Sequence, residues 1–160
     1  MRLHVIAVGR VKDGPERALA SRYAERFDDL ARRLGFRSLA VHEFAESRAG
    51  DTAARIAAEA AEIGTQIPEG GVVVALDERG KSLTSADFAR QLGRWRDDGV
   101  ASAVFLIGGP DGLSPELRRR AVLTLGFGAA TWPHQVVRVM LLEQLYRAAT
   151  ILAGHPYHRV

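Results

Sequence analysis

The run Gly154-His155-Pro156-Tyr157-His158-Arg159 places two imidazoles, a phenol and a guanidinium side by side. Imidazoles exchange protons near neutral pH, a phenol ring stacks on flat bases, and a guanidinium holds anions. A metal site is the weaker reading of the two histidines, since no carboxylate or cysteine accompanies them. His134 also lies in the last part of the chain, together with Arg118, Arg119, Arg120, Arg138 and Arg147. Residues 118–160 carry a formal +5, with Glu143 their one acid, whereas residues 1–117 carry −2. Positive charge gathered in one part of a nearly neutral chain points to a polyanion or phosphate partner.

Three loop-like segments share the remaining chemistry. Ile107-Gly108-Gly109-Pro110-Asp111-Gly112-Leu113-Ser114 lets a ligand approach bare backbone just before a helix start. Gly126-Phe127-Gly128-Ala129-Ala130-Thr131-Trp132-Pro133-His134 sets small residues and free backbone groups beside two aromatics, a surface suited to a flat heterocycle. Leu76-Asp77-Glu78-Arg79-Gly80-Lys81 ends in Gly-Lys, but Ala75 stands where a phosphate-binding loop needs its first glycine, so a nucleotide triphosphatase is not indicated. The chain has no Gly-x-Ser-x-Gly elbow and no cysteine. Serine-elbow hydrolysis, cysteine nucleophiles, disulfides, thiolate zinc and iron–sulfur clusters are thereby excluded. Asp77, Glu78 and Asp111 are read as turn or capping acids.

These segments need a scaffold, and the hydrophobic pattern describes one. Strands are expected over 3–8, 38–44, 72–76, 103–107 and 122–127, the third and fourth apolar without alternation, as in strands covered on both faces. Helices are expected from Pro15 to a stop at Gly35, from a cap at Asp51 to Pro68, from Thr84 or Ser85 through Trp95, from Ser114-Pro115-Glu116, and over 134–152. Strand and helix alternate throughout, giving an α/β fold: a five-stranded, mostly parallel sheet with helices on both faces, as one domain over 1–160. The last helix is apolar nearly all round, which calls for burial on more than one side, and self-association is one way to achieve it. With 47% hydrophobic and 26% charged residues and a mean hydropathy of −0.06, the chain should fold alone. Neither a membrane span nor a secretion signal is expected, and a cytoplasmic location fits best.

Four segments in order, Leu-Asp-x-x-Gly-Lys at 76–81, Ile-Gly-Gly-Pro-x-Gly-Leu-Ser at 107–114, Pro-His-x-x-Val-Arg-Val at 133–139, and Glu-x-Leu-Tyr-Arg-Ala with His-Pro-Tyr-His-Arg at 143–159, resemble one family. It is the bacterial 23S ribosomal RNA pseudouridine N3-methyltransferase family of the knotted SPOUT superfamily, and the resemblance spans essentially the whole chain. The resemblance implies a C-terminal trefoil knot, S-adenosylmethionine as cofactor, a homodimer without metal, and methyl transfer to N3 of a pseudouridine in 23S rRNA of the ribosome. By position, the family's cofactor contacts fall on Leu76, Gly108, Phe127, Gly128, Ala129, Ala130, Thr131 and Trp132. The loop at 126–130 is richer in glycine and alanine than the family's serine- and leucine-containing versions, and Asp111 stands where a glutamate is expected. For such a reaction His158 or His155 is expected to take the imide proton, Arg159 to favour the developing anion and Tyr157 to orient or stack on the base. The tail is expected to serve the partner subunit's site. The competing reading, a non-catalytic ribosome- or RNA-binding protein, would use the basic tail but would not need the loops at Gly108 and Phe127.

Overall fold

The computed structural model describes residues 1–158. Five strands, β1 (Arg2–Val8), β2 (Ser38–Phe44), β3 (Val72–Lys81), β4 (Ser102–Ile107) and β5 (Leu123–Leu125), form one parallel sheet in the order β2-β1-β4-β3-β5. Five α-helices connect and cover them: α1 (Pro15–Ala31), α2 (Thr52–Gln66), α3 (Ser85–Asp97), α4 (Pro115–Arg120) and α5 (His134–Leu152). The strands alternate between two cores. Leu3, Val5, Val74, Phe105 and Ile107 pack with α1, α3 and α5, while Ile6, Val8, Val73, Val104 and Leu106 pack with α2 and α4. Burial on both faces is why β3 and β4 read as unbroken apolar runs.

Local chemistry sets the helix ends. Asp51, Thr84 and Ser114 each accept a backbone N–H of the first turn that follows, from Ala54, Asp87 and Leu117. Helix α1 tightens into a 3-10 turn over Arg32–Leu34 and stops at Gly35, whose φ of 80° suits glycine. At the end of α5, Gly154 (φ 64°) donates to the Ile151 carbonyl at 3.1 Å and His155 donates to that of Thr150 at 2.9 Å, a Schellman closure completed by Pro156.

Two expected strand bounds are corrected. β3 continues to Lys81 rather than ending at Leu76, resuming its pairing with β5 after a bulge. Gly80 permits this, since a Cβ there would lie 2.5 Å from the Leu125 carbonyl carbon. β5 is shorter than the expected 122–127, because Gly126 leaves the ladder to lie against the backbone of the β3 bulge, 2.9 Å from the Asp77 oxygen as measured from its would-be Cβ. Helix α5 keeps its expected bounds, but its apolar circumference is largely covered within the chain, by α1 and α3. Leu141, Leu142, Leu145, Ala148 and Ala149 are buried there, and Val136, Val139 and Met140 remain half-buried. Arg138 is also buried on this helix; its Nη2 donates to the Gly9 carbonyl at 2.7 Å, and its Nη1 pairs with Glu43. Burial lowers the pKa of this arginine against the opposing Glu43 charge, and the pair fixes the start of α5 to the ends of β1 and β2.

His4 on β1 and His42 on β2 stack with ring centroids 5.8 Å apart, and both nitrogens of His4 are buried without partners. Burial, then the nearby His42 and Arg2, lowers the His4 pKa from 6.5. The unfolded chain therefore takes up this proton more readily than the folded one. The contribution of His4 to stability is complete above the ordinary histidine pKa, begins to fall as pH drops through it, and levels off below the folded value. Thermal melts from about pH 7.5 to about pH 5 should show a falling midpoint. The slope should flatten in His4→Phe, and an equal slope in that variant would assign the effect to other groups.

Candidate cofactor cavity

The strand order determines where the site lies. The connection from β4 through α4 passes β3 to reach β5 on its outer side, so the loops that leave β4 and β5 flank the bulge of β3. Between them lies a cavity of about 600 Å³, within the range usual for small-molecule sites. Its apolar walls include Leu76, Ile107, Leu125 and Val137, and bare backbone enters from Gly108, Gly112 and Gly128. Gly112 and Gly128 have φ of 80° and 93°, and a Cβ on either would meet nothing within 4 Å. Two side-chain bonds close the rim: the Thr131 hydroxyl donates to Glu78 at 2.6 Å, and the Trp132 indole donates to the Phe127 carbonyl at 3.2 Å.

The structure brings Leu76, Gly108, Phe127, Gly128, Ala130, Thr131 and Trp132 together around this cavity. Ala129 belongs to the same loop but does not line it. Two aspartates here are held as carboxylates. Burial of Asp77 opposes its ionisation, yet the Arg79 backbone N–H at 2.9 Å and the charges of Arg79 and Arg118 outweigh burial and hold its pKa below the usual carboxylate value. Asp111 is held low by its hydrogen bond from Arg55 at 2.7 Å, so it is the anion of an ion pair rather than a proton donor. Among the described residues, no group of three His, Asp or Glu side chains could hold a metal ion. No described helix is long and apolar enough to cross a membrane.

The tail is placed elsewhere. Tyr157 lies over the second half of α5, with its ring 4.7 Å from that of Tyr146, under the Arg147 guanidinium at 5.0 Å, and its hydroxyl donating to Glu143 at 3.2 Å. Burial, then hydrogen bonds to Tyr23 and Glu143, raise the Tyr157 pKa well above that of a free phenol. Tyr157 is thus docked on α5 of its own chain, where it anchors the tail. His155 is exposed and accepts the Tyr157 N–H on Nδ1 at 3.2 Å, and His158 is half-buried with Nδ1 shielded and unpartnered. Arg159 lies outside the described residues. At 1.5 Å of rise per residue, Arg147 is roughly 15 Å along α5 from Val137 at the cavity wall. A chain's own tail and its own cavity are therefore at different parts of α5.

Three features were missed from sequence: the Arg118–Asp77 pair, the Glu78–Thr131 link and the buried Glu59. For Glu59 one signal was legible, its place four residues after Arg55 on a helix otherwise rich in alanine.

The family model described as "Predicted SPOUT methyltransferase" matches residues 1–158. Relatives named Ribosomal RNA large subunit methyltransferase H, from Rhodopseudomonas palustris and Bradyrhizobium diazoefficiens, are each 69% identical over 159 residues, covering 99% of this chain and 99% of theirs. The relative of the same name from Nitrobacter hamburgensis is also 69% identical over 159 residues. Among solved structures, the SpoU methyltransferase AviRb from Streptomyces viridochromogenes, in complex with the cofactor AdoMet, is 14% identical with a TM-score of 0.40. That likeness covers 92% of this chain and 59% of the other, and is too remote to carry an argument.

Proposed function

This chain belongs to the SPOUT methyltransferase family, and from that premise we propose that it transfers a methyl group from S-adenosylmethionine to N3 of a pseudouridine in 23S rRNA. The observation that carries the reading is the cavity at the ends of β3, β4 and β5, walled by apolar side chains and bare backbone, in a chain 69% identical along its length to rRNA large subunit methyltransferases. The residues present fit the cofactor. Leu76, Phe127 and Val137 suit a heterocycle, and the open glycines 112 and 128 expose backbone donors and acceptors to its polar groups.

When bound, the cofactor supplies an electrophilic methyl group on a sulfonium sulfur. The chain aligns the base with that methyl group and helps the imide N3–H ionise, so that the nitrogen lone pair can form the new N–C bond as the C–S bond breaks. In this reading His158 or His155 takes the imide proton, Arg159 stabilises the anion, and the loop Phe127, Gly128, Ala129, Ala130, Thr131 and Trp132 holds the cofactor with Leu76 and Gly108. Asp77 and Asp111 hold arginines and move no proton.

The reading extends to a one-domain, cytoplasmic homodimer that acts on the ribosome and is tied in a C-terminal trefoil knot. Half-buried Val136, Val139 and Met140 on α5 support an interface there, though a smaller one than the pattern of the helix suggests. The distance between a chain's tail and its own cavity supports a site completed by the partner's tail. Calorimetry with S-adenosylmethionine should show saturable binding, and tritium should pass to ribosomes carrying pseudouridine but not to ribosomes lacking it. RNA binding without transfer would favour the non-catalytic alternative.

A further inference from the structure

Helix α2 does not line the cavity, yet two of its charged residues, one turn apart, reach the loop that does. The Arg55 guanidinium grips Asp111 with Nε at 2.7 Å and Nη2 at 3.4 Å, and is steadied by the Thr52 hydroxyl at 3.0 Å. Glu59 is 5% exposed. Its Oε1 accepts the Ser47 backbone N–H at 2.9 Å, while its Oε2 is buried and has no partner. A Cβ on Gly109 would lie 3.2 Å from that free oxygen, so the carboxylate sits directly against the backbone of the loop. An apolar side chain would pack here without leaving a buried acceptor unmatched, and so the position of Glu59 works against the fold unless something donates to it. Among the groups beside it that can donate are backbone amides of the loop, which lies against the free oxygen at Gly109.

We propose that Arg55 and Glu59 are positioning residues for cofactor binding. Arg55 fixes the tip of the loop through Asp111, and the free Oε2 of Glu59 accepts a backbone N–H from Gly108, Gly109 or Asp111 when the cavity fills. Glu59 also holds Ser47, in the connection between β2 and α2, so filling the cavity would tighten that connection against the loop. The inference rests on reading the cavity as the S-adenosylmethionine site.

The test uses the full chain with Glu59→Ala, Glu59→Gln and Arg55→Met, assayed by calorimetry with S-adenosylmethionine, steady-state kinetics on ribosomes, and amide exchange over 108–112. Glu59→Ala should weaken cofactor binding about tenfold, the loss expected for a hydrogen bond to a charged group. The cofactor KM should rise to match, while kcat at saturating cofactor stays within about twofold. Glu59→Gln keeps an acceptor oxygen for one of the two backbone donors, so it should recover part of the affinity. Arg55→Met should give the same KM signature. Cofactor should protect the amides of Gly108, Gly109, Asp111 and Gly112 in the wild type, and this protection should shrink in Glu59→Ala.

Wild-type affinity in a folded Glu59→Ala variant, or a fall in kcat without a rise in KM, would overturn the proposal. If the alanine variant does not fold, the glutamine variant decides: wild-type affinity together with undiminished loop protection would refute the role of Glu59. A wild-type chain that binds no S-adenosylmethionine would instead refute the cofactor reading itself.

Discussion

Mixing a Gly108→Val variant with an Arg159→Ala variant, each inactive alone, is expected to restore part of the methyl transfer to ribosomes. Gly108 lies in the cavity loop, and Arg159 follows a tail whose Tyr157 is anchored on Tyr146, Glu143 and Arg147, well along α5 from that loop. If each site takes its loop from one chain and its tail from the other, a mixed dimer has one site with both parts intact and one with neither. Random exchange of subunits makes half of the dimers mixed, so recovery should approach roughly a quarter of wild-type activity. If loop and tail act within one chain, every site lacks one part and the mixture stays inactive. Light scattering on the same samples separates this outcome from a failure to dimerise.

The fold was legible wherever one kind of local signal dominated. Pro133 and Gly154 bracket α5, and the helix has the expected bounds because proline opens it and a left-handed glycine closes it. β3 was read short because Asp77, Glu78 and Gly80 resemble a turn; the backbone contact with Leu125 that keeps the strand extended is a tertiary effect that the residue types do not show. The packing of α5 on α1 and α3 is not legible for a related reason, since an apolar circumference says that a helix is covered but not by what. At the site, the small residues Gly108, Gly126, Gly128 and Ala130 mark the cavity because a close approach of backbone needs them. Glu59 carries only its spacing from Arg55, since a glutamate on a helix reads as solvated until the fold turns it inward. Asp111 was legible as a polar loop residue, but its role depends on Arg55, which a fold must bring from another helix.

Replacing Gly108 with alanine should reduce affinity for S-adenosylmethionine by about tenfold or more while the protein stays folded. The argument begins with what the added methyl meets. A Cβ at Gly108 would lie 2.7 Å from the Gly112 carbonyl carbon and 2.9 Å from the Leu113 nitrogen. Both are backbone atoms, so no flexible side chain can swing aside, and the turn from Gly109 to Gly112 must open. β4 ends one residue earlier and is buried along its whole length, so the strain falls on the loop rather than on the sheet. Valine at the same position adds two more carbons to the same collision and should abolish binding, as the mixed-dimer test requires. Gly64→Ala supplies the contrast, since a Cβ on that glycine of α2 meets nothing within 4 Å. Alanine in a helix interior is about 0.5–1 kcal/mol better than glycine, so that variant should melt slightly higher and bind cofactor unchanged. Calorimetry and thermal melts on both variants decide the matter: if Gly108→Ala binds like the wild type, the loop after β4 does not shape the cofactor site, whatever the cavity beside it holds.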